Sequence, residues 1–131
     1  MGMDTHTYPH SNSVWFLETK RFTALWGSLR LNAEDLIELQ NEIMVAPFAN
    51  PVIAGTGGLR KMRFTSPRVG NKGKRGSFRV CYAYMAKFSA IVLILVYPKA
   101  EMDNLTAEDK KAVKLLLSHM EKEFESRFGN E

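Results

Sequence analysis

An α+β fold, a small antiparallel β-sheet with an N-terminal helical hairpin and a C-terminal helix, is predicted from three observations. Apolar residues recur at helical spacing before residue 47 and after residue 105, whereas between residues 59 and 97 they alternate or run continuously. Six of the nine glycines fall between Ala54 and Ser77, where turns must separate strands. The implied order is β-α-α-β-β-β-α, its three consecutive strands pairing as a meander. At 131 residues and 45% hydrophobic, the chain can bury roughly two-thirds of its unfolded surface in one domain without disulfides.

Residues 1–13 are polar and aperiodic and read as a disordered tail ahead of a single domain over residues 14–131. His6 and His10 lack the third ligand that a metal site needs, and Pro9 opposes a helix that would align them. Val14 to Leu17 is a short strand. Phe22, Leu25, Trp26 and Leu29 mark a first helix, weakened at Gly27 and Ser28. Asn32 is suited to cap a second, with Glu34 and Asp35 in its first turn, Leu36, Leu39, Ile43 and Met44 as its apolar stripe, and Pro47 and Pro51 ending it.

In the next strand, Leu59, Lys61, Arg63 and Thr65 share one face and Arg60, Met62 and Phe64 the other. Ser66 to Gly76 is a basic hairpin loop. Phe78 to Met85 sets Phe78, Val80, Tyr82 and Tyr84 opposite Arg79, Cys81, Ala83 and Met85. Ile91 to Tyr97, nearly all β-branched or Leu, is a central strand covered on both faces. Thr106 and Asp109 form a capping-box start for the last helix, whose stripe is Val113, Leu116, Leu117, Met120 and Phe124.

Charge is distributed unevenly. Residues 43–100 hold ten basic residues and no acidic one, so this interval carries +10 while the remainder carries −6. A field of that kind suits a polyanion or an acidic protein. Lys61, Arg63, Arg79 and Lys99 can converge on one sheet face, beside small Cys81 and Ala83 that leave room for a ligand, with Lys72, Lys74 and Arg75 neutralising the backbone of a bound RNA. Cys81 is the single cysteine and reads as a core residue in a reducing, cytoplasmic setting. No apolar run reaches the roughly 20 residues that span a bilayer, and the N-terminus has no signal-peptide pattern, so no membrane association is expected. Walker A, HExxH, GxSxG and paired CxxC motifs are lacking, and Gly55-Thr56-Gly57-Gly58 precedes a strand, which makes it a turn. His119 reads as an exposed or partly packed helix residue rather than a catalytic one.

Three segments, Gly55-Thr56-Gly57-Gly58-Leu59-Arg60-Lys61-Met62-Arg63, Gly73-Lys74-Arg75-Gly76-Ser77-Phe78-Arg79-Val80-Cys81-Tyr82 and Tyr97-Pro98-Lys99-Ala100-Glu101-Met102-Asp103-Asn104-Leu105-Thr106, together resemble the RelE/HigB superfamily of type II toxins, in particular its HigB-like branch. The resemblance covers about residues 14–125. It implies a RelE-like microbial-RNase fold and a ribosome-dependent mRNA endonuclease, an mRNA interferase that cuts message in the ribosomal A site, inhibits translation and arrests growth. The implied partner is a cognate helix-turn-helix antitoxin; no metal or other cofactor is expected. Cleavage of this kind needs a base at the ribose 2′-hydroxyl, positive charge at the phosphate and an acid for the leaving 5′-oxygen.

By resemblance, Lys61 and Arg63 are the paired basic strand positions, Arg79 stabilises the transition state and Lys99 is the basic residue after the last strand, with Arg60 among the RNA-binding residues. Glu101 is a candidate acid or base, as are Tyr82, Tyr84 and Tyr97. The chain departs from the family pattern at Ala100, where many members carry Arg, and at Leu105 and Thr106, where several carry Tyr or His. An alternative with the same face is a ribosome- or RNA-binding inhibitor of translation that does not cut; a third is a surface that mainly docks an acidic antitoxin segment.

Overall fold

A computed structural model describes residues 7–9, 14–68, 77–99 and 105–128. They form an α+β fold with one mixed five-stranded sheet and three α-helices. The strands are β1 (Thr7–Pro9), β2 (Trp15–Glu18), β3 (Leu59–Thr65), β4 (Ser77–Met85) and β5 (Ala90–Pro98), in sheet order β1-β2-β5-β4-β3. The helices are α1 (Lys20–Ser28), α2 (Ala33–Val45) and α3 (Ala107–Phe128). No helix among the described residues is long and apolar enough to cross a membrane.

Two expectations are corrected. The sheet is not wholly antiparallel: β3, β4 and β5 form the antiparallel meander, but β2 lies parallel to β5, from Trp15 against Ala90 to Glu18 against Leu93. The two helices between β2 and β3 explain this, because a crossover of that length lets the chain re-enter the sheet in the direction it left. The tail reading fails at Thr7–Pro9, which adds an outer strand to β2 with Thr7 opposite Leu17. Backbone pairing needs no apolar pattern, so composition concealed this strand. His6 and His10 lie outside the described residues.

The two sheet faces build separate cores. On one, Phe22 and Trp26 of α1 and Leu39 and Ile43 of α2 pack on Phe16, Met62, Phe64, Phe78, Val80, Tyr82, Ile91 and Leu93. On the other, Val113, Leu117, Met120 and Phe124 of α3 cover Leu59, Cys81, Ala83, Val92 and Leu95. Every residue from Ala90 to Tyr97 is buried, as expected for a strand sandwiched between helical layers.

Caps delimit the helices. The Thr19 hydroxyl accepts from the Phe22 N–H at 3.0 Å to start α1, and Trp26 Nε1 donates to the Asn32 carbonyl, tying α1 to the entry of α2. Asn32 and Asp35 form a reciprocal capping box at 2.9 Å, and Thr106 and Asp109 form another at 3.0 and 3.1 Å.

Candidate functional site

Alternation along β3 sends Lys61 and Arg63 to the α3 side of the sheet, and the register with β4 sets Lys61 opposite Cys81 and Arg63 opposite Arg79. On the next strand, Leu95 lies opposite Cys81 and Tyr97 opposite Arg79. Lys61, Arg63, Arg79 and Tyr97 therefore occupy one end of this face, and Lys99, exposed just after β5, stands at the same end.

A bulge brings Tyr97 to this face. Cys81 pairs with Leu95 but Tyr82 pairs with Leu93, so Ile94 is an extra residue in β5. Ile91 and Leu93 face α1 and α2, Ile94 and Leu95 both face α3, and beyond them the alternation is inverted, with Val96 toward α1 and α2 and Tyr97 toward α3. Had the strand run through Ile94 in strict alternation, with no bulge, Tyr97 would point into the opposite core.

Two cations directly across a strand pair repel. The odd residues of β3 turn their backbone groups away from β4, because the Leu59 carbonyl accepts from Ile53 and the Lys61 N–H donates to Pro51 on the outer side. Arg63 and Arg79 thus form a non-hydrogen-bonded pair, the closer of the two antiparallel pair types, with Cα atoms about 4.5 Å apart. Like charges so placed cost up to about 1 kcal/mol, which a bound anion would reverse. Arg79 is half-buried, and its buried Nη1 has no hydrogen-bond partner among the described residues. Next along the same face, opposite Lys61, Cys81 is fully buried. Burial pushes its thiol up to about 11, against the opposing effects of a hydrogen bond with Tyr97 and the charge of Lys61. The thiol is protonated at neutral pH and is no nucleophile.

Other basic residues of the interval serve the scaffold. Arg60 faces away from Lys61 and Arg63: its Nη1 donates to the Phe48 and Asn50 carbonyls at 3.0 and 2.6 Å, and its guanidinium lies 5.4 Å from the Phe48 ring centre. The alternation of β3 already placed it with Met62 and Phe64, so it does not join the cationic face predicted to bind RNA. Arg68 pairs with Asp35 at 3.2 Å, and Lys87 with Glu125 at 2.6 Å. Lys72, Lys74, Arg75 and Glu101 lie outside the described residues. The ten cations of the interval thus divide into four at this end of the face, three in the scaffold and three outside the described residues.

The tyrosines separate similarly. Tyr82 is buried, donating to the Pro47 carbonyl at 2.7 Å and accepting from Asn50, and Tyr84 packs on Phe48 at 4.8 Å between ring centres. Tyr97 alone of these three stands on the cationic face. His119 is exposed on α3, with Nε2 3.9 Å from Glu123.

Sequence reasoning missed the clamp at the end of β3. The Asp35 carboxylate, 1% exposed, accepts from Ser66 Oγ at 2.6 Å on one oxygen and from the Asn32 N–H and the Arg68 guanidinium on the other. The Asn32–Asp35 spacing signalled the cap, but nothing local marks Ser66 and Arg68 as its partners. The sequence matches no protein-family model.

Proposed function

We propose that this protein is the toxin of a type II toxin-antitoxin pair, a ribosome-dependent mRNA endonuclease with a RelE-like fold. The observation that supports this reading best is the Arg63–Arg79 pair, two directly opposed cations with Lys61 on the same face and Lys99 just beyond the end of β5. Such a face is unfavourable alone and favourable around a phosphate.

The chemistry follows from the placement. With message held in line, the 2′-oxygen attacks the adjacent phosphorus, the bond from phosphorus to the 5′-oxygen breaks, and the products are a 2′,3′-cyclic phosphate and a 5′-hydroxyl. Arg79 and Arg63 hold the non-bridging oxygens, whose negative charge grows in the transition state. Lys61 and Lys99 are the candidates for moving protons at the attacking and leaving oxygens. The ribosome supplies the alignment, which can account for a large part of the rate. A helix-turn-helix antitoxin is the proposed partner and silences the protein by covering the cationic field.

The test is induction of the Arg63→Ala, Arg79→Ala double variant in growing bacteria. Loss of growth arrest with a melting temperature no lower than the parent's is expected, since the variant also loses the repulsion between the two cations; full toxicity would remove these residues from the site. Engagement of the Tyr97 hydroxyl by Cys81 favours a second reading, a face that binds the ribosome or its RNA and blocks translation without cutting. Mapping mRNA 5′ ends after induction separates the two, since cleavage leaves new ends at fixed codon positions and occlusion leaves none.

A further inference from the structure

β3 is the last strand of the sheet, and among the described residues only the first half of its outer edge is covered. Residues 51–53 pair with its first half: Ile53 N–H donates to the Leu59 carbonyl at 2.8 Å, Lys61 N–H donates to Pro51 at 3.2 Å, and Val52 bridges Arg60. At Pro51 this covering segment leaves the edge. The two-residue alternation turns the N–H and C=O groups of Arg63 and Thr65 outward in the same way. Neither residue has an outward backbone partner among the described residues, and both side chains are exposed.

We propose that the Arg63–Thr65 edge of β3 takes a further β-strand from a partner protein, and that this strand is acidic. An added strand completes the hydrogen bonds that residues 51–53 leave unfinished, and the residue paired with Arg63 places its side chain on Arg63's own face. A carboxylate there meets Arg63 directly, with Arg79 one strand inward. The chain itself supplies no acidic residue between positions 43 and 100. A second copy of this chain is a poor occupant, because pairing two such edges sets the cations of one β3 against those of the other. The strand would screen the Arg63–Arg79 pair as it binds; only this consequence rests on the proposed nuclease reading, while the docking itself does not.

The experiment uses the full chain and the acetylated peptide Glu-Val-Glu-Val-Glu-Val-Glu as probe, followed by amide hydrogen exchange. Slowed exchange is expected at Arg63 and Thr65, without a matching change at Met62 and Phe64, whose N–H groups already bond to β4. The counterpart peptide with Lys in place of Glu is expected not to bind. Thr65→Pro removes one outward donor and leaves the β4 ladder intact, so peptide affinity is expected to fall while RNA cleavage persists. Unchanged exchange at both amides under saturating peptide overturns the proposal, as does undiminished affinity in a folded Thr65→Pro variant. An RNA oligonucleotide protecting the same amides with the same dependence on Thr65 would assign the edge to nucleic acid and also overturn it. The exchange measurement on the parent chain stands even where Thr65→Pro fails to fold. Absence of any RNA cleavage would sink the nuclease reading and leave the strand-docking result to be judged by exchange alone.

Discussion

Asp35 joins more of the structure than any other single carboxylate among the described residues. It caps α2, ties that helix to Ser66 at the end of β3, and holds Arg68, which also donates to the Arg30 carbonyl at 2.7 Å. Burial pushes its pKa up, but the donors from Ser66, Asn32 and Arg68 outweigh burial and leave it below its ordinary 3.8. A carboxyl depressed in the folded state contributes stability that is fully present above the unfolded value and is lost as pH falls through the lower folded one. Asp35→Asn is therefore expected to cost about 2 kcal/mol at neutral pH, since it exchanges a charged acceptor for an amide that must turn one N–H toward a donor. Denaturant titration at pH 7 and at pH values below 3.8 checks this, because the gap between variant and parent should narrow in acid. At Cys81, thiol reagents are expected to label the protein at neutral pH only once it is unfolded, since the folded thiol is buried and protonated. Labelling at equal rates in native and denaturing buffer would contradict that burial.

Among elements, β5 and the glycine turn before β3 define what could be read in advance. Gly57 has φ +76°, and a Cβ there would stand 3.3 Å from Lys114 Cγ, so Gly57→Ala combines a left-handed backbone with contact against α3. A loss of about 1–2 kcal/mol is expected from the conformation alone, measurable by thermal or denaturant unfolding. The turn was legible because glycine clusters where side chains cannot follow the backbone. The helices were legible from their caps and stripes: Asn32 and Thr106 cap where expected, and Leu39, Ile43, Val113, Leu117, Met120 and Phe124 are buried. Two features were not legible. The parallel pairing of β2 depends on a partner some 75 residues away, as between Trp15 and Ala90, which local periodicity does not encode. The bulge at Ile94 lies within a continuous apolar run, where one added residue leaves no mark in the pattern yet decides which side Tyr97 faces. The convergence of Lys61, Arg63 and Arg79 was legible because all three precede that bulge in a regular hairpin, and Arg60 was separable from them by parity alone.

At the scale of the molecule, the uneven charge has a structural address. Within the +10 interval, scaffold contacts engage Arg60, Arg68 and Lys87, while Lys61, Arg63, Arg79 and Lys99 remain together at one end of the α3 side of the sheet. If that end binds single-stranded RNA through its phosphates, each neutralised phosphate contributes about −0.7 to the slope of log affinity against log salt. With both arginines on the one scissile phosphate, removing Arg63 and Arg79 together should flatten the slope by about 0.7, whatever the remaining cations contribute. Arg60→Ala should leave the slope unchanged, although loss of its bonds to the Phe48 and Asn50 carbonyls lowers stability. Fluorescence anisotropy of a short labelled RNA over a range of potassium chloride concentrations measures both. An equal flattening by Arg60→Ala would mean that the charge acts as a diffuse field over the whole sheet. A flattening confined to the double variant means that phosphate is held where β3, β4 and β5 bring those cations together.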